Sequence, residues 1–418
     1  MTLIESPSFE GNQAGKSPKK GKQAIRILFF GIYSKRAEYP RTNNLIKAFE
    51  ACGAEVVECR YHMASSFKER FRSATTFFGA LRYGTQILAS FFSLSVQYLK
   101  IPSPIHVIFV AHPGYFHCQL ARLLCAFKNR RAAILYDVFF SLYDSMVHDR
   151  RLLSPKGAPA RFIHALEMSA CRAADLNIID TRTHGDYLAR EFKIDPDKFL
   201  PIFVGAGFPP YEKPCIRPRR DGKFSVLFVG TYIPLHGVDV IIKAARLLRN
   251  DPEIHFRLVG FGQLKEEMVK LARQQNLKNM VFQNWAPVNR LGDLIRSHDL
   301  ALGIFGTTNK AARVIPIKIF DICACGVPFI SSDTPAVGEV FRHGENAWLV
   351  PGGDPKALAR AIRDMKRDRK MRERIANGAY KAGQDMFSIE KMGKDLMKAV
   401  FGTEMKKFVQ VQVVDPGL

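Results

Sequence analysis

The chain has 418 residues, 47% of them apolar, and a formal net charge of +23. That length exceeds what one core usually holds, so two domains are the default, and the apolar share is ample for real cores. The charge calls for an anionic partner (nucleic acid, an anionic membrane surface or a phosphorylated small molecule), and the lack of any helix-turn-helix, RNA-binding aromatic strand or zinc-finger pattern ranks nucleic acid last.

Residues 1–24 are polar and rich in Gly, Ser and Lys, which reads as a disordered basic tail with no secretory signal. The eight cysteines sit inside apolar segments without metal-type spacing, as expected of reduced core residues in a cytosolic protein.

Taken in order, Arg26 to Gly31 is a continuous apolar strand of the kind a parallel sheet buries on both faces. Gly31 ends it and opens a loop into a helix from about Asn43 to Cys52, and Ala54 to Cys59 is the next strand. Glycine there lets the backbone approach a phosphate, although most such turns bind nothing. Residues 73–101 form the most apolar run, interrupted by Arg82, Gln86 and Gln97 and flanked by Lys68, Arg70, Arg72 and Lys100. This pattern suits a helix lying in a membrane interface better than one spanning it, and equally suits an ordinary core helix.

Pro104 to Val110 is a buried strand that places His112 at its carboxyl end, where open α/β sheets bind ligands, while His117 reads as structural. Ala132 to Val138 is another strand, followed by an aromatic, acidic loop, 139–151. Asp144, His148 and Asp149 in that loop can meet an acceptor hydroxyl or serve merely as caps and surface charges. A helix over 158–173, a strand over 176–179, a helix capped by Thr183 and a strand over 198–204 complete a first domain, 25–205.

The proline-rich stretch 206–223 reads as a linker. The pattern then repeats over 224–386, with strands at 224–230, 254–259, 280–284 and 300–304 between helices. A helical stretch at 387–402 can cross back onto the first domain, and 403–418 is a tail.

Lys310 to Asp333 reads as loop, helix, turn and strand. Pro316 suits the first helical position and Gly326 the end. A helix start favours an anion, yet Lys310, Arg313 and Lys318 crowd it, so an external anion is the simplest source of negative charge. Asp321, one turn further in, can accept from ligand hydroxyls. The same residues also read as a solvated basic loop before a core helix.

With these residues in place, the chain resembles the retaining glycosyltransferases of family 4, which have the GT-B architecture of two doubly wound α/β, Rossmann-like domains facing across a cleft. The resemblance is specific over about 224–370, through VLFVGTYIPLHGVDVIIKAA, LVGFG, SHDLAL, PIKIFDICACGVPFI and GENAWLVPGGDPKALA. It is looser in the first domain, through GIYSKRAEYPRTN, AHPGYF and SLYDSMVHDR. It implies a nucleotide-diphosphate sugar as donor substrate, bound between the Gly31 loop and the 316–325 helix, with Gly260 beside it. The family's arginine and lysine after the donor-domain strand correspond to Thr231 and His236, and its paired glutamates to Arg313 and Asp321. Asp321 would hold the ribose hydroxyls, while Arg313, Lys310 and Lys318 would replace the lost phosphate cations.

The implied reaction moves a sugar to a hydroxyl with retention, by charge stabilisation of the departing diphosphate, with His112 positioning the sugar and no cofactor or metal required. The aromatic loops and the apolar run point to a glycan or polyprenyl-linked acceptor at the inner face of the membrane. Two rivals remain: another GT-B enzyme, such as an epimerase or an inverting transferase using Asp144 or His148 as base, and an inactive nucleotide-binding relative.

Overall fold

The computed structural model describes residues 25–35, 40–62, 77–215 and 222–402. The tails 1–24 and 403–418, and Lys68, Arg70 and Arg72, lie outside the described residues.

The first sheet contains β1 (Arg26–Gly31), β2 (Glu55–Arg60), β3 (Val107–Val110), β4 (Ala133–Phe139), β5 (Leu176–Ile179) and β6 (Phe199–Pro201). All pairings are parallel, in the order β2-β1-β3-β4-β5-β6. The second contains β7 (Phe224–Val229), β8 (Ile254–Val259), β9 (Met280–Gln283), β10 (Leu300–Leu302), β11 (Phe329–Ser332) and β12 (Trp348–Val350), also all parallel, in the order β12-β11-β10-β7-β8-β9.

The apolar runs explain this. Residues alternate sides along a strand, so Leu28 and Phe30 of β1 enter one core while Ile27 and Phe29 enter another on the opposite face. Helices α2 (Phe77–Lys100), α3 (His117–Lys128), α4 (Ala158–Ala173) and α5 (Arg182–Phe192) cover the first face. The opposite face receives α1 (Pro40–Ala51) and the last helix, α12 (Ile389–Phe401), which returns from the second half to pack on α1. In the second half, α6 (Val238–Leu247), α7 (Lys265–Gln274), α8 (Leu291–Arg296), α9 (Ile317–Cys325), α10 (Pro355–Arg367) and α11 (Arg369–Phe387) flank the sheet. Among the described residues, no helix is long and apolar enough to cross a membrane.

Strand order reverses between β1 and β3 in the first sheet and between β7 and β10 in the second. A crevice opens at the carboxyl ends of strands at such a reversal, and both reversals contribute to the seam between the two halves.

Two local expectations change. The loop after β4 contains a π-helical turn, Asp144–Asp149. Helix α5 is capped by Thr181, whose hydroxyl accepts from the His184 N–H at 3.1 Å, and not by Thr183, whose hydroxyl donates to Glu339 at 2.6 Å.

Candidate active site

The helix that organises the second half starts at the seam. Pro316 is its N-cap, with φ −66° and ψ 148°, and Gly326 closes it at φ 60°. Its first turn carries no acid, and Lys318, at 9% exposure, is buried there. The Lys318 Nζ has no hydrogen-bond partner and lies 3.9 Å from the centroid of the Phe228 ring. Burial holds its pKa well below the ordinary lysine range. A Cβ on Gly230 would stand 2.5 Å from that Nζ and 3.2 Å from the His236 ring, so the lysine amino group, the imidazole and the glycine backbone form one cluster.

His236 is also buried, and its Nδ1 bonds the Thr231 carbonyl. A carbonyl only accepts, so Nδ1 carries the proton. Burial and then the Lys318 charge hold this imidazole neutral. Gly260 belongs to the same cluster: a Cβ there would come within 1.9 Å of the Gly230 carbonyl oxygen, and only glycine permits that approach of two loops. Asp321, 5% exposed, accepts the Gly207 N–H of the linker at 2.8 Å, and burial pushes its carboxyl up to about 7.

A second cluster faces the first from the other half. Gly31, at φ +125°, ends β1 beside Ala111 and His117. His112 follows β3 and packs against Tyr115, Phe139 and Phe140, the last at 4.6 Å between ring centroids. Its Nδ1 donates to the Val138 carbonyl at 2.9 Å, which leaves Nε2 as an acceptor. Burial, followed by the charges of Arg41 and Lys310, brings its pKa down to about 3 against the opposing Val138 bond. Phe139 adopts φ 56°, a strained conformation for an aromatic residue, braced by the Arg41 guanidinium 5.2 Å from its ring. Arg41 is itself held by Asp137 at 2.8 Å and by the Ile202 carbonyl at 2.9 Å.

Lys310 and Arg313 come from the second half but are engaged by the first. Lys310 Nζ bonds the Ser145 hydroxyl and lies 5.0 Å from the Phe140 ring centroid, which in turn packs on His112. The Arg313 guanidinium bonds Asp144 Oδ1 at 2.6 Å and stacks 3.7 Å from the centroid of Tyr187. Its main-chain carbonyl accepts from Thr181 at 2.5 Å. Asp149 accepts from Thr308 at 3.1 Å. The basic loop is therefore a half-buried strap across the seam, its two cations engaged by the first half.

Lys310, Arg313, Asp144, Asp149 and His112 thus gather on one side, and Lys318, His236, Thr231, Gly230, Gly260 and Asp321 on the other. His148 is not brought in: it is exposed, against the Tyr143 ring at 5.4 Å.

Sequence reasoning missed two acids. Glu167 accepts from the Ser141 hydroxyl at 2.7 Å and from the Leu142 and Tyr143 amides, fixing the start of the π-helical turn, and burial pushes it up to about 7. Glu339 reaches across the seam to accept the Arg182 and Thr183 amides at 2.9 and 2.8 Å, at the N-terminus of α5. Neither stands in a motif. Among the described residues, no group of three His, Cys, Asp or Glu is arranged to hold a metal.

Residues 213–382 match the family described as Glycosyl transferases group 1. The chain is similar to a chitobiosyldiphosphodolichol beta-mannosyltransferase of Debaryomyces hansenii, 23% identical over 53% of this chain and 53% of that protein. It is also similar to a D-inositol 3-phosphate glycosyltransferase of Streptomyces bingchenggensis, 25% identical over 50% of this chain and 48% of that protein. The chain spans about half the length of these curated relatives. Among solved structures, sucrose-phosphate synthase from Thermosynechococcus elongatus superposes with a TM-score of 0.64 at 15% identity, covering 90% of this chain and 98% of the other. Anabaena HepE in complex with UDP-glucose superposes with a TM-score of 0.61 at 16% identity, covering 90% and 99%. The two parallel sheets and their flanking helices have the GT-B architecture of these solved structures, and the likeness to Glycosyl transferases group 1 is carried by residues 213–382.

Proposed function

We propose that this chain transfers a sugar from a nucleotide diphosphate to a hydroxyl of a glycan or polyprenyl-linked acceptor, with retention at the anomeric carbon. The observation that carries this reading is Lys318. Its Nζ is a buried amino group with no hydrogen-bond partner, at a helix N-terminus, between a close-packed glycine and a neutral imidazole, and an anion beside it would draw in its proton. A departing diphosphate would supply the missing charge and accept the helix amides at once.

His112 presents Nε2 as an acceptor for a sugar hydroxyl, because Nδ1 is committed to Val138. Asp321 would hold ribose hydroxyls with the carboxylate oxygen that Gly207 leaves unused. Arg313 has a different task in this reading: with Asp144 as its partner it joins the halves and does not neutralise phosphate. The leaving phosphate takes the acceptor proton. An inverting route is less well supported, since Asp144 is tied to Arg313 and His148 lies on the surface.

Nucleotide release from a panel of UDP-, GDP- and dTDP-sugars tests the reaction. Proton NMR of the product reads its configuration. The expected result is turnover of at least one donor with retention, strongly reduced in Lys318→Met. Interconversion of sugars, or binding without turnover, would replace the proposal with an epimerase or an inactive relative.

A further inference from the structure

The outer face of the helical layer α2–α3–α4 of the first half is unusually apolar. Phe78, Leu81, Leu88 and Phe92 are 81%, 58%, 68% and 76% exposed, and they share one stripe of α2, at spacings of three, seven and four. Phe127 on α3 and Phe162 on α4 are also exposed, at 74% and 61%. Isolated apolar residues on a surface mean little, but a stripe along one helix marks a contact surface.

The charge on this layer is one-sided. Ten lysines and arginines fall between 77 and 166, and Arg82, Lys100, Arg130, Lys156 and Arg161 are exposed. The only acids in that span are Asp137, Asp144 and Asp149, all buried at the crevice. Glu167 on α4 is buried, and described acids on bordering elements are paired: Asp175 with Arg122, Glu191 with His164, Glu55 with Arg26 and Glu58 with Lys35.

Placement adds a third observation. Ser90 bonds His117 at 3.1 Å, and a Cβ on Gly31 would lie 3.9 Å from the His117 Cβ, so Ser90 is level with the carboxyl end of β1. Gln97 meets the Arg60 carbonyl at the same end of β2, so the middle of α2, which carries Leu88 and Phe92, stands beside the carboxyl ends of β1 and β2.

We infer that the α2–α3–α4 face docks on an anionic lipid bilayer, with the stripe of α2 in the headgroup–acyl boundary and the basic rim on the lipid phosphates. This rests on the proposed reaction only for its purpose, namely bringing the crevice to a lipid-linked acceptor. The area and charge are read without it.

Flotation of the full chain with vesicles tests it, using phosphatidylcholine containing about one-third phosphatidylglycerol against phosphatidylcholine alone, at low and high salt. The expected result is co-flotation with the anionic vesicles at low salt, weakened by salt. The double variant Leu88→Glu, Phe92→Glu should bind at least tenfold more weakly with an unchanged melting temperature, and Arg82→Gln should weaken binding mainly at low salt. No flotation of the wild-type chain at low salt, or equal flotation of the double variant, overturns the inference. So does a wild-type dimer that the double variant dissociates, because a second copy would then be the occupant. Nucleotide release in lipid-free buffer reads the reaction independently, so a failure there leaves the docking surface standing, and the reverse.

Discussion

Arg313 and Asp144 meet across the seam between the two halves, Nη2 to Oδ1 at 2.6 Å, with side chains only 12% and 0% exposed. Each would be an uncompensated buried charge without the other. Removing one partner of such a pair commonly costs about 3–5 kcal/mol, whereas replacing both with apolar side chains is often close to neutral. Arg313→Ala is expected to lose about 3 kcal/mol by chemical denaturation, and Arg313→Met with Asp144→Leu to recover most of it. A single-variant loss below about 0.5 kcal/mol would show that the pair does not join the halves.

Lys318 gives the opposite balance. Its buried amino group lacks a hydrogen-bond partner, so the folded chain holds it at a cost. Lys318→Met keeps the length of the side chain and removes the charge. The variant should gain about 1–2 kcal/mol in stability while losing nucleotide-diphosphate affinity by about tenfold or more, a trade of stability for function. Because burial lowers the pKa of this lysine, binding an anion beside it should draw in a proton. Calorimetry of UDP and GDP binding in buffers of different ionisation enthalpy measures that uptake, which should vanish in the variant.

Asp321 makes stability depend on pH with a definite sign. Burial raises its carboxyl to about 7, so the folded chain holds a proton that the unfolded chain, titrating near 4, has released. Stability then falls as pH rises from about 4 to about 7, by on the order of 4 kcal/mol if this group acts alone. Asp321→Asn keeps an oxygen for the Gly207 amide and removes the titration. Its stability curve should be flatter than wild type across that window, and equally steep curves would refute the assignment. Glu167, also near 7, leaves a residual slope in the variant.

Glu339 tests the seam from another side. It caps α5 from the opposite half through the Arg182 and Thr183 amides and the Thr183 hydroxyl. Glu339→Ala should cost about 1–2 kcal/mol, the range for a lost helix cap, and raise amide exchange in the first turn of α5. Exchange unchanged at 182–184 would argue against the contact.

The architecture was legible in the sequence because it depends on local signals. Continuous apolar strands such as 26–31 and 224–229 fit burial on both faces of a parallel sheet, and Pro316 and Gly326 bracket a helix within one residue of its observed start. His112 and Gly31 could be placed because a strand end fixes where the next residues emerge. The partners of the strap were not legible. Arg313 and Asp144 are 169 residues apart, and Glu339 and Thr183 are 156 apart. No periodicity encodes pairings of that range, and a basic loop looks the same in sequence whether buried acids or water await it. The π-helical turn at 144–149 escaped for a related reason, since Glu167, which holds its start, lies on a different helix.

His112 carries the last prediction. A histidine at a strand end invites the role of a base titrating near its usual pKa, but burial and the charges of Arg41 and Lys310 bring it down to about 3. The imidazole is therefore neutral throughout the working range, with its proton on Nδ1 toward Val138 and Nε2 left as an acceptor. A pH–rate profile of nucleotide release should show no limb between about 5 and 7 that disappears in His112→Asn. If His112 positions the sugar through Nε2, the variant should lose turnover by a roughly constant factor across that range, about 10- to 100-fold, because one acceptor to a bound hydroxyl is missing at every pH. A limb near 6.5 in the wild type that the substitution removes would mean that His112 exchanges its proton during turnover, and would replace the positioning role with acid–base chemistry.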